Sequence, residues 1–144
     1  MSEPKLFDIT SESLVDRPRA ILVLEDDVDF GEMLKVFLES KSFEVVRVTD
    51  GVEGLRKIMA RDFDLVICDL NMPNLPGDKF FLAVERARKE MTRRFIFMTG
   101  HASDSRWAAF LSKVSGPVLQ KPFTLQDVLS TIQTRLAILE LGGE

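Results

Sequence analysis

The stretch Asp64-Leu65-Val66-Ile67-Cys68-Asp69-Leu70-Asn71-Met72-Pro73 constrains this chain more than any other. The apolar run from Leu65 to Cys68 suits a strand buried on both faces and is too short for a helix. Asp69 ends the run, and Pro73 forces the chain to turn soon after. A carboxylate at the carboxyl end of a buried strand sits where open parallel sheets carry their chemistry.

The regions around it follow the same pattern. Ile21-Leu22-Val23-Leu24 reads as a buried strand closed by Glu25-Asp26-Asp27, and Phe30, Met33, Leu34, Phe37 and Leu38 then recur at helical spacing. Val45 to Val48 is a second strand, with Asp50 as the cap of a helix carrying Leu55, Ile58 and Met59. The segment Leu65 to Cys68 is the third strand, and a helix through Phe80, Phe81, Val84 and Ala87 follows it. The fourth strand, Phe95 to Met98, ends in Thr99-Gly100, and Ser103 or Asp104 is expected to cap a helix bearing Trp107, Phe110, Leu111 and Val114. A short fifth strand at Val118-Leu119 ends at Lys121-Pro122. Thr124 with Asp127 then resembles a capping box for a last helix through Leu125, Val128, Leu129, Ile132, Leu136 and Leu139. Strands alternating with helices predict an α/β fold, a doubly wound five-stranded parallel sheet covered on both faces.

At 144 residues, 45% of them hydrophobic, the chain is long enough for one full core. Residues 1–18 are polar and of mixed charge and are expected to be a poorly ordered extension, leaving 19–141 as the domain. The one cysteine, Cys68, lies inside an apolar run, so an intramolecular disulfide is excluded and a cytoplasmic setting is expected. No basic start with an apolar core opens the chain, so no membrane association is expected. A net charge of −4 argues against direct nucleic-acid binding. The local basic group Arg86, Arg88, Lys89, Arg93 and Arg94 reads as a solvated helix face.

In a parallel sheet the residues just past each strand line one rim: Glu25-Asp26, Asp69, Thr99 and Lys121. If the first strand lies beside the third, the acids meet at the topological switch point. Carboxylates held this close repel one another unless a cation joins them. A few acid oxygens with remaining waters suit Mg²⁺, and Asp69 is then the candidate nucleophile for an aspartyl phosphate. Lys121 would bring positive charge to the phosphoryl oxygens, and Thr99 a hydroxyl donor.

With these residues in place, the chain resembles the receiver domain of two-component response regulators, the CheY-like family, from about Ala20 to Leu136. The matching motifs are Leu-Glu-Asp-Asp with Glu25-Asp26, Cys-Asp-Leu-Asn-Met-Pro with Asp69, Met-Thr-Gly with Thr99 and Gln-Lys-Pro-Phe with Lys121. The resemblance implies a flavodoxin-like fold with strand order 2-1-3-4-5. It implies a metal-binding acid pair at Glu25 and Asp26, phosphorylation of Asp69, a switch hydroxyl at Thr99 and a phosphate-contacting Lys121. It also implies a metal-ligating backbone carbonyl at Asn71 and a cis candidate at Lys121-Pro122. The implied phosphoryl donor is a sensor histidine kinase or phosphotransfer protein, with output through an unidentified protein contact. The chain would be a stand-alone regulator or a fragment of a larger regulator or hybrid kinase, catalysing only its own phosphorylation and dephosphorylation.

One departure concerns output. Receivers commonly carry Tyr or Phe three residues before the conserved Lys; here that position is Val118, and the chain has no Tyr. Output is therefore expected to rely on the loop from Thr99 to Ser105 and the helix after it. His101 is expected to be a bystander, Trp107 a core residue and Asp27 not a ligand. The end of the last helix offers a dimer seam or partner contact. The enzymatic alternative is a Mg²⁺-dependent aspartate-nucleophile phosphohydrolase similar to the haloacid dehalogenases, which typically use a second Asp where this chain has Asn71. A flavodoxin-type flavin carrier fits poorly with the acids after the first strand.

Overall fold

The computed structural model describes residues 17–100 and 105–142. The Ser103 or Asp104 cap, His101 and residues 1–16 of the expected extension lie outside them. The strands are β1 (Ala20–Leu24), β2 (Glu44–Val48), β3 (Leu65–Asp69), β4 (Phe95–Thr99) and β5 (Val118–Gln120). Between and after them run α1 (Val28–Ser40), α2 (Gly51–Ala60), α3 (Gly77–Ala87), a 3-10 turn (Lys89–Arg94), α4 (Ser105–Leu111) and α5 (Leu125–Glu140). All strand pairs are parallel, and the sheet order is β2-β1-β3-β4-β5, as the rim argument requires.

Why the central strands read as unbroken apolar runs is clear from their burial: every residue of β1, β3 and β4 is buried. Strand alternation then divides the core in two. On one face Ile21, Val23, Leu65, Ile67, Ile96 and Met98 pack with Leu34 and Leu38 of α1 and Val128 and Ile132 of α5. On the other, Leu22, Leu24, Val66, Cys68, Phe95 and Phe97 meet Ile58 of α2, Phe80, Phe81 and Val84 of α3 and Trp107 of α4. The second face is aromatic. The Phe81 ring stands edge-on to Phe95 at 5.0 Å and to Phe110 at 5.5 Å between centroids. Each fully buried Phe contributes about 1.5–3 kcal/mol of transfer free energy.

Local signals hold the helix starts in place. Asp27 and Asp50 accept the N–H groups of Phe30 and Glu53, and Thr124 with Asp127 forms the reciprocal capping box.

Three expectations are corrected. Met33 and Met59 are half exposed rather than on buried stripes, because Leu34, Leu38 and Ile58 already fill the space over the sheet. Ala87, placed on the apolar face of its helix, is exposed at the end of α3. The basic group is also more than a solvated face. Arg88 donates to the Ile58 carbonyl at 2.8 Å and Arg94 to the Phe63 carbonyl at 2.7 Å, so both tie the end of α2 and the entry to β3 to distant chain. Arg88 satisfies a carbonyl that the end of α2 leaves open, and Arg94 one in the loop that leads into β3. Among the described residues no helix is long and apolar enough to cross a membrane.

Candidate functional site

Strand register assembles the rim. Leu24 pairs with Cys68, so the next residues, Glu25 and Asp69, stand side by side. Asp69 pairs with Met98, which puts Thr99 one step further along; Thr99 pairs with Gln120, and Lys121 follows. The Lys121 N–H donates to the Thr99 carbonyl at 2.8 Å, extending the ladder past the strand end. From there its side chain reaches back across the rim.

Lys121 Nζ donates to Asp69 Oδ2 at 2.7 Å and to Glu25 Oε1 at 3.2 Å. The same ammonium lies 5.2 Å from the Phe30 ring centroid, over an apolar wall. Glu25 is 1% exposed and Asp69 4%. Two buried carboxylates thus share one cation. Asp26 is exposed, yet one oxygen from each of Glu25, Asp26 and Asp69 lies within 4.8 Å of the others.

Backbone donors fix the remaining oxygens. Asp69 Oδ1 accepts the Asn71 N–H at 2.9 Å, and Glu25 Oε2 accepts the Asp27 N–H at 3.0 Å. The loop after β3 closes when the Gly77 N–H donates to the Leu70 carbonyl at 2.9 Å. Only glycine fits there: a Cβ at residue 77 would stand 2.7 Å from Leu70 Cα and 2.8 Å from the Asp69 carbonyl oxygen. Lys121-Pro122 is cis, as the resemblance implied.

Burial pushes the Glu25 carboxyl up to about 7, against the lowering effect of the Asp27 N–H; the Asp69 charge adds to the rise and Lys121 opposes it. Burial alone would lower the Lys121 ammonium, but its hydrogen bond to Asp69 and the charges of Asp69 and Glu25 outweigh that and hold it above its ordinary value. The negative charge of this corner exceeds what one lysine compensates. An oxygen-only donor set of this kind fits a hard divalent cation with room for water.

These groups line a pocket of about 320 Å³ that also contains Asn71, the buried Thr99, Arg106 and Trp107. Clefts of about 410 and 450 Å³ along α5 and α2 are larger, but among the described residues no carboxylate lines either. The five residues expected on the rim, and Asn71 that the resemblance added, are therefore neighbours. Trp107 is both buried in the core, as expected, and a wall of the pocket. Nothing in the sequence around Arg106, whose guanidinium lies 5.1 Å from the Trp107 ring centroid, distinguishes it from a surface cation. Asp27 lines the pocket while capping α1.

The response regulator receiver domain family model matches residues 21–133. The chain is 29% identical over 118 residues to the response regulator GtcR of Aneurinibacillus migulanus, covering 82% of this chain and 48% of that protein. It is 30% identical over 129 residues to the transcription factor SKN7 of Candida albicans, covering 89% of this chain and 22% of that protein. The chain thus spans about half the length of the first of these relatives and less than a quarter of the second. Among solved structures, a CheY-like receiver domain protein from Methanospirillum hungatei JF-1 is 28% identical with a TM-score of 0.79, over 88% of this chain and 99% of that one. The receiver domain of the sensor histidine kinase PA1611 from Pseudomonas aeruginosa PAO1, solved with a magnesium ion coordinated in its active site cleft, shares the fold. Its TM-score is 0.76 at 22% identity, over 83% of this chain and 98% of that one. A flavodoxin-like sheet in the order 2-1-3-4-5, an acid cluster at its switch point and a family match over most of the chain lead to one conclusion: this chain belongs to the response regulator receiver domains, the phosphoacceptor modules of two-component signalling, which catalyse only their own phosphorylation and dephosphorylation.

Proposed function

We infer that Asp69 is the phosphoacceptor and that residues 19–141 form the unit that receives the phosphoryl group. The observation that carries this is the single ammonium of Lys121 bridging buried Asp69 and Glu25, with Asp26 close enough to complete an oxygen cage. Glu25, Asp26, Asp69 and the Asn71 carbonyl would hold Mg²⁺, as the magnesium-bound PA1611 receiver supports by analogy. When bound, the ion neutralises charge on the phosphoryl oxygens.

In the reaction, a carboxylate oxygen of Asp69 attacks phosphorus of a phosphohistidine donor. The P–N bond breaks, and the imidazole leaves with the electron pair and takes up a proton. Lys121, already at Asp69, meets the negative oxygens of the incoming group, and the Thr99 hydroxyl donates to one of them. Loss of the phosphoryl group reverses the charge change: water attacks phosphorus, the bond from phosphorus to the Asp69 oxygen breaks with its electron pair restoring the carboxylate, and inorganic phosphate leaves after the water gives up a proton. The donor is a sensor histidine kinase or phosphotransfer protein, and the phosphorylated form acts by altering a contact with a downstream protein.

Incubation with a small-molecule phosphodonor and Mg²⁺, resolved on a phosphate-retarding gel, tests this reading. A retarded band that needs both the metal and Asp69 supports it; equal retardation of Asp69→Asn overturns it.

A further inference from the structure

Arg47 lies on the edge strand β2, and alternation puts it on the same face as Val45, over α1. Its guanidinium occupies a niche above Gly31: a Cβ on that residue would stand 2.1 Å from Arg47 Nε and 2.8 Å from Cζ. From the niche, Nη2 donates to the Glu25 carbonyl at 3.2 Å and to the Asp27 carbonyl at 3.5 Å. These two carbonyls flank Asp26. The Nε donor is buried and has no hydrogen-bond partner among the described residues, so the guanidinium gives up a bond to remain in this position.

We propose that Arg47 is a positioning residue for the cation site, clamping the backbone on either side of Asp26 so that the acid pair faces Asp69. The proposal rests on the metal reading of the site given above. Arg47 binds main-chain carbonyls here, not the carboxylates themselves. As a bare charge it would oppose a divalent ion; as a clamp it favours one. The two effects have opposite signs and can be separated. Outer groups that orient metal ligands commonly govern affinity by about 10–100-fold.

The experiment is calorimetric titration of the full chain with Mg²⁺ alone, with thermal unfolding measured in parallel. Arg47→Met is expected to bind about tenfold more weakly. Arg47→Lys keeps the charge but lacks the planar fork, and is expected to restore little of the loss. Gly31→Ala keeps the arginine but fills its niche and displaces the guanidinium; it is expected to show a similar loss, and the double variant no further loss, because both changes break one contact. The proposal is overturned if Arg47→Met binds Mg²⁺ within about twofold of wild type or more tightly, or if the losses from Arg47→Met and Gly31→Ala add in full. Should Arg47→Met fail to fold, an unchanged affinity in Gly31→Ala overturns it. An Asp26→Asn control separates the two claims: wild-type binding that survives Asp26→Asn, or no binding at all, overturns the metal reading and the clamp together.

Discussion

A proton and a divalent cation compete for Glu25. With its carboxyl raised to about 7 from an ordinary 4.5, the metal-free fold holds a proton there that the unfolded chain releases. Its contribution to stability is therefore fully present below about pH 4.5 and is lost as pH rises through about 7. Cation binding has the opposite dependence: below about pH 7 that proton must leave first, so Mg²⁺ affinity should fall by up to about tenfold per pH unit. Titrations at pH 6 and pH 8, read through the single Trp107 in the pocket wall, check this, and Glu25→Gln should remove most of the dependence. Lys121→Met should slow phosphorylation by about a hundredfold, since it removes a preorganised charge from the acceptor oxygens; stopped-time gels measure the rate. Asp69, Thr99 and Lys121 were legible in the sequence because each ends an apolar run, and a parallel sheet puts all such ends on one rim. Arg47 was not legible, since its role depends on the parity of an edge strand set against one glycine of α1.

At the scale of elements, signals that act within one turn could be read directly. Thr124 and Asp127 cap α5 as their spacing indicated. Thr124→Ala should cost about 1 kcal/mol, measured by urea unfolding. Arg88 and Arg94 were misread for the opposite reason: their partners, the Ile58 and Phe63 carbonyls, are some thirty residues away in sequence, and hydrophobic periodicity carries no information about such reach. On β5, Val118 stands where the resemblance implies an aromatic ring, and it is 38% exposed. Val118→Tyr should therefore change stability by no more than about 0.5 kcal/mol and leave Asp69 phosphorylation intact. If partner binding and its dependence on phosphorylation are also unchanged, output in this chain does not use that position.

For the whole molecule, the sheet order matters more than any single contact. Placing β1 between β2 and β3 is what brings Glu25 beside Asp69, and β4 and β5 then deliver Thr99 and Lys121 from the other side. The continuous apolar strands announced the fold class, while the helix-side packing, including the exposed Met33 and Met59, depends on which helix positions face the sheet, and periodicity alone leaves that choice open. Phosphorylation is tested most directly by the intact mass of the chain after exposure to phosphoramidate, with Mg²⁺ and with a chelator. The expected result is the gain of one phosphoryl group with Mg²⁺, little or none with chelator, and none in Asp69→Asn. A wild-type chain that stays unmodified, or an Asp69→Asn variant that gains the same mass, would contradict it.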